Sequence, residues 1–187
     1  MALHYSALTS LDGYVEDTTG SFDWAMPSDE VHAFVNDLMR PVGTYLYGRR
    51  LYETMTAWEN DPALVSGPPV YADFARVWQA ADKVVYSTTL DEPVTRRTRI
   101  ERRFDPAAVA ALPGDAFVGG AMLAAQAFRA GLVAECHLLV VPYVAGGGKP
   151  ALPGPLGLDL REQRRFADGT VYLRYAVAGD ARPHPNP

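Results

Sequence analysis

The chain has 187 residues, 48% of them hydrophobic and 21% charged, the proportions of an ordinary globular domain. Its net charge of −5 argues against broad nucleic-acid binding, and no apolar run approaches the roughly 20 residues needed to span a bilayer. A lone Cys136 excludes an intrachain disulfide framework. With an N-terminus that has neither a basic nor an apolar signal region, this makes cytoplasmic residence the simplest expectation.

Residues 2–8 read as a first strand, followed by a long loop through Ala25. Ser28 can cap a helix, with Asp29 and Glu30 in the first turn where the helix dipole favours negative charge. Val31, Phe34, Val35, Leu38 and Met39 then recur at helical spacing. Residues 44–47 form a short strand, and Gly48-Arg49-Arg50 turns into a second helix. Residues 61–69 read as a loop, 70–81 as a helix, 83–87 and 98–104 as strands, and 105–112 as a helix opened by Asp105-Pro106. Residues 116–118 are a strand, 121–130 a helix stopped by Gly131, and 135–144 a long apolar strand. Residues 160–166 and 170–177, split by Ala167-Asp168-Gly169, predict a hairpin. Strands alternating with helices imply a three-layer α/β/α sandwich, mostly parallel, with an antiparallel C-terminal hairpin. Residues 1–180 make one domain, and 181–187 a disordered tail.

Several positions carry chemistry. Asp29 lies five residues after Trp24 and two after Pro27. It either serves the helix dipole alone or faces a cleft, where a carboxylate can manage a proton. Gly48-Arg49 joins a turn that admits a phosphate to a planar cation, although Arg49 and Arg50 can equally be solvated surface residues. Ser87-Thr88 ends a strand, where open α/β sheets bind ligands. Gly119-Gly120 precedes Ala121-Met122 at a helix start, either a tight turn or a cradle for a diphosphate. The basic run from Arg96 to Arg103 is either a charged edge strand or an attractor for a polyanionic cofactor. Gly146-Gly147-Gly148-Lys149 lacks phosphate-loop spacing and reads as a turn. His4, His32, His137 and His184 show no ligand spacing with Cys136 or with carboxylates, so no metal site is expected.

The order of Ser10-Leu-Asp-Gly-Tyr-Val15, Phe22-Asp-Trp-Ala-Met-Pro-Ser-Asp29, Tyr47-Gly-Arg-Arg-Leu-Tyr-Glu53, Tyr86-Ser-Thr-Thr89 and Val118-Gly-Gly-Ala121 resembles the dihydrofolate reductase superfamily. The resemblance covers most of the chain and points to the branch that includes the reductase domain of bacterial riboflavin biosynthesis. It implies a dihydrofolate reductase-like fold and an NADPH-dependent reductase. Asp29 then takes the catalytic, proton-managing role, with Trp24, Tyr14, Glu30 and Ala33 about the substrate. Gly13, Gly48, Arg49, Arg50, Ser87, Thr88, Gly119, Gly120, Ala121 and Met122 take the cofactor, and in relatives the glycine pair often carries a cis peptide. The loop at Asp12-Gly13-Tyr14 would cover the nicotinamide, with residues 18–22 as a lid.

Folate reducers carry apolar or aromatic residues just after the aspartate. Glu30, Val31, His32 and Ala33 stand here, so a smaller, more polar heterocycle, pyrimidine- or pterin-like, is expected. The competing expectation is a nucleotide- or flavin-binding module of the same fold that has lost turnover. A homodimer is expected by analogy, with residues 138–144 and the hairpin as its interface.

Overall fold

The computed structural model describes residues 1–178, so the expected tail lies outside the described residues. In chain order the elements are β1 (Leu3–Thr9), β2 (Tyr14–Glu16), a 3-10 turn (Asp23–Ala25), α1 (Asp29–Met39), β3 (Thr44–Gly48) and α2 (Arg49–Met55). There follow α3 (Ala57–Asn60), α4 (Pro62–Val65), α5 (Pro69–Ala80), β4 (Asp82–Tyr86), β5 (Thr98–Glu101) and α6 (Pro106–Ala110). The chain continues through β6 (Ala116–Gly119), α7 (Ala121–Arg129), β7 (Val133–Val140), β8 (Lys149–Pro150), β9 (Gly157–Arg165) and β10 (Val171–Ala178).

The main sheet has eight strands in the order β5-β4-β3-β6-β1-β7-β10-β9. From β5 to β7 every pairing is parallel, and β10 and β9 close the sheet as an antiparallel hairpin. Alternation along the strands sorts side chains to two faces. Leu3, Tyr5, Leu46, Val84 and Val118 pack against Leu123, Ala124, Ala127 and Phe128 of α7 on one face. Tyr45, Tyr47, Val85 and Phe117 pack against Met39 of α1 and Phe74, Val77 and Trp78 of α5 on the other. The expected three-layer sandwich is therefore present. Among the described residues no helix is long and apolar enough to cross a membrane.

Helix α1 starts where the sequence places it, with Ser28 Oγ accepting from Val31 N. Its junction with α5 is polar: Asn36 Nδ2 donates to Val70 O and Asp73 Oδ2, both at 2.9 Å, and Arg40 Nη2 reaches the same carboxylate at 2.8 Å. Arg40 and then Asn36 hold the Asp73 carboxyl down at about 2.

Some elements differ from expectation. The stretch 61–69 contains α4, because Asp61 caps it by accepting from Ala63 N and Pro62 occupies the first turn. Strand β5 ends at Glu101, since Arg102 folds back onto the turn after β4. Strand β7 stops at Val140, two residues before Pro142, which has no N–H to donate to a ladder. It is also flanked on both sides, by β1 and β10, so it offers no free edge for the expected dimer interface; the edges of the sheet are β5 and β9.

Lys83 is fully buried on β4, its Nζ 4.3 Å from the Trp78 ring centroid and 3.4 Å from Trp78 O. Burial pulls its ammonium down from 10.5 to about 8. Below pH 8 it is charged in both folded and unfolded chains, and its burial costs stability in full. Between about pH 8 and 10.5 the unfolded chain binds the extra proton, so stability rises with pH across that window. Lys83→Met is expected to remove this slope. Urea midpoints of the two proteins at neutral and alkaline pH, taken as a difference, test it, and parallel pH profiles contradict it.

Candidate active site

The carboxyl ends of β3, β4 and β5 and the middle of α7 surround a groove of about 710 Å³. Arg49, Tyr86, Ser87, Thr88, Thr89, Arg102, Arg103, Phe104 and Gln126 line it. Ser87 is buried, and its Oγ accepts from Leu90 N at 2.9 Å and Thr89 N at 3.2 Å. Arg102 Nη1 donates to Ser87 O at 3.1 Å and Leu90 O at 2.7 Å, bracing the same turn. Thr88 and Arg103 are exposed on the groove wall, and Arg49 pairs loosely with Glu53 at 3.1 Å. The fold thus brings Arg49, Ser87 and Thr88 together. Arg50, also expected at the cofactor, is exposed and does not line this groove. Gln126 and Phe104 escaped sequence reasoning, since their neighbours come from distant elements, and Tyr86 was visible only as part of the Tyr86-Ser-Thr-Thr89 motif. The basic run lies partly on β5, an edge strand as one of its readings expected, and its Arg102 and Arg103 line the groove.

Gly48 has φ −78, open to any residue, and an added Cβ there would meet nothing within 4 Å. The protein itself does not fill that space, which leaves room for a ligand against Arg49. The pair Gly119-Gly120 is tighter. A Cβ on Gly119 would sit 2.7 Å from Leu51 Cδ2 and 3.0 Å from Tyr47 Cε1, and Gly120 caps α7 at φ +83. Among the described residues there is no cis peptide, so the glycine pair lacks the bond often found in relatives. Ala121 is buried, whereas Met122 stands 69% exposed.

The face expected to hold substrate is more open. Asp29 and Ala33, one helical turn apart on α1, are both exposed, so Asp29 does not stand in an enclosed cleft. Helix α1 begins at Asp29 itself, so no preceding turn shields it. Glu30 turns the other way. Its Oε2 accepts from Ala167 N at 3.1 Å and its Oε1 lies 3.5 Å from Arg164, so it fastens α1 to the hairpin rather than to a substrate. Trp24 stacks on Tyr143, centroids 5.2 Å apart and rings 13° from parallel. Its Nε1 is shielded from solvent without a hydrogen-bond partner.

The loop between β1 and α1 is tied down. Gly13 N donates to Ser10 O, and Tyr14 N to Ser10 Oγ at 3.0 Å. Asp12 accepts from Ala145 N at 3.0 Å and Gly146 N at 2.8 Å. Those contacts and the backbone amides lower the Asp12 carboxyl below its usual range, with the Ser10 hydroxyl as the largest cause. The glycine-rich turn therefore serves the loop: β8 pairs with β2, and Lys149 bridges Glu16.

Cys136 is buried in the α7-side core, and burial pushes its thiol up to about 12, which makes it inert. The histidines lack ligand spacing in the sequence, yet folding brings His4 and His137 beside Glu135. Burial, then His4 and Arg174, lower the His137 imidazole to about 4.

The family model for the RibD C-terminal domain matches residues 2–110 and 116–172. This chain belongs to that family. The Bacillus subtilis (strain 168) protein YyaP is 26% identical over 173 residues, covering 89% of each chain. Among solved structures, a putative riboflavin biosynthesis protein from Shewanella sp. PV-4 superimposes with a TM-score of 0.73 at 21% identity, covering 96% of this chain and all of that one. A pyrimidine reductase-like protein from Corynebacterium diphtheriae gives 0.65 at 15% identity, covering 96% and 92%. A diaminohydroxyphosphoribosylaminopyrimidine deaminase/5-amino-6-(5-phosphoribosylamino)uracil reductase from Thermotoga maritima gives 0.62 at 13% identity, covering 95% of this chain and 56% of that one. The fold is that of the dihydrofolate reductase-like RibD C-terminal branch.

The two glycines predict different failures. Gly120→Ala forces a residue with a Cβ to φ +83 and should cost about 1–2 kcal/mol. Gly119→Ala presses on Leu51 and Tyr47 and should cost about 1–3 kcal/mol by overpacking. Adding Leu51→Ala should recover part of the second loss and none of the first, as read by urea unfolding of the double variants.

Proposed function

We propose that this protein is an NADPH-dependent reductase acting on a small heterocycle, pyrimidine- or pterin-like, with a polar carbonyl or imine. The observation that carries this reading is the groove with Arg49, Arg102 and Arg103 around a hydroxyl-bearing strand end, on a protein whose net charge is −5. Cations gathered against the average charge select a polyanion. The groove volume and the free space over Gly48 suit an extended dinucleotide. Arg103 and Thr88 would hold the adenosine-side phosphate, Arg49 and the glycine turn the diphosphate. When bound, the dinucleotide supplies the hydride.

The chain's own residues supply the rest. Trp24 Nε1 is a shielded donor without an acceptor, a state that costs about 1–3 kcal/mol and that a substrate carbonyl would relieve once the indole shifts to meet it. Asp29 and Ala33 lie on one exposed stripe of α1. Asp29 would orient the substrate or the water that delivers a proton, and closure over the bound pair would take it out of solvent. Ala33 leaves space and Glu30 is already engaged, which suits a small ring better than folate.

Quenching of tryptophan fluorescence during titration with NADPH and NADH tests the cofactor. Arg103→Ala and Arg49→Ala are each expected to weaken NADPH by roughly tenfold or more, as expected for a charge-assisted contact. No binding of either dinucleotide overturns the reading. For the chemistry, Asp29→Asn should lower turnover on a pyrimidine and pterin panel by about 100-fold or more while leaving the NADPH Kd unchanged. Wild-type protein that binds NADPH but turns over no member of the panel would favour the non-catalytic module.

A further inference from the structure

Away from the groove, toward the amino ends of the strands, three side chains aim donor atoms at one point. His4 Nδ1 is 3.4 Å from His137 Nε2 and 3.5 Å from Glu135 Oε2, and the last two are 3.6 Å apart. Strand register produces this. His4 pairs directly with Glu135 across β1 and β7, and His137 follows Glu135 by two residues on the same face.

From this geometry we infer that His4, Glu135 and His137 form a zinc-binding site. None of the three contacts is a good hydrogen bond, since N–H···O bonds cluster at about 2.7–3.2 Å. The separations match a different object. Ligand atoms about 2.0–2.1 Å from a tetrahedral Zn²⁺ stand roughly 3.3–3.4 Å from each other. Two imidazoles and one carboxylate suit Zn²⁺, whereas Mg²⁺ and Ca²⁺ call for oxygen ligands.

Outer contacts aim each donor. The His137 Nδ1 edge meets Tyr172 Oη at 2.8 Å; with Nδ1–H donating, Nε2 keeps its lone pair for the metal. Arg174 Nη1 holds Glu135 Oε1 at 3.3 Å and leaves Oε2 toward the histidines. His137 is buried, while the His4 and Glu135 side chains are 16% and 24% exposed, so a cation has a solvent-side entrance and a water completes its coordination. The bound ion would rivet β1 to β7 and, through Tyr172, to β10.

Titration of chelator-stripped protein with Co²⁺, followed by its visible absorption, tests the site. The expected result is one Co²⁺ per chain with a four-coordinate spectrum, displaced by Zn²⁺, and a thermal midpoint that rises with Zn²⁺ but not with Mg²⁺. His4→Gln and Glu135→Gln, at the partly exposed positions, should each weaken binding more than about tenfold with an unchanged circular-dichroism spectrum, and Tyr172→Phe by about 10–100-fold. Absence of binding at equimolar cation overturns the site, as does binding that His4→Gln and Glu135→Gln leave unaltered. Neither readout depends on NADPH or on turnover.

Discussion

Strand β1, only seven residues long, lies between β6 and β7, and this placement organises the molecule. Both pairings are parallel and join segments more than a hundred residues apart, so the sheet centre forms only when the two ends of the domain meet. Register is fixed by side-chain alternation. Leu3 and Tyr5 must face α7, and Tyr5 Oη donates to Ala151 O at 2.8 Å inside that layer. A slip of one residue would exchange those side chains with His4 across the sheet, placing polar groups in the core.

That constraint also sets where binding can occur. With all central strands parallel, their carboxyl ends lie on one side, and Gly48, Ser87 and Gly119 arrive there together. The intervening helices pack on the two faces and leave that end to loops. Electrostatics then separates the end from the rest of the surface. An acidic protein concentrates Arg49, Arg102 and Arg103 about one groove, and Arg102 combines the charge with a bracing role through its bonds to Ser87 O and Leu90 O.

Local rules are broken where the substrate is proposed to bind. The indole N–H of Trp24 is shielded and unpaired, and Asp29 stands exposed at a helix start with Ala33 above it. Glu59 Oε2 is the other buried side-chain atom without a partner among the described residues, whereas the Asn36, Asp73 and Arg40 junction is fully engaged.

The layers and the longer elements were legible in the sequence, whereas the short β2, α3, α4 and β8 were not. Helix α1 was legible from its Ser28 cap and its apolar spacing, and the hairpin from Ala167-Asp168-Gly169, because capping, periodicity and turn chemistry act over a few residues. Motifs lying at strand ends, such as Gly48-Arg49, Ser87-Thr88 and Gly119-Gly120, were legible for the same reason. Which of them share a groove, the turn of Glu30 to the hairpin while Asp29 stays open, and the lack of a free edge on β7 came from the packing of distant segments. It alone brought His4 to Glu135 and His137. Those relations depend on strand order and register between distant segments, and no local pattern encodes a pairing formed across 131 residues of chain.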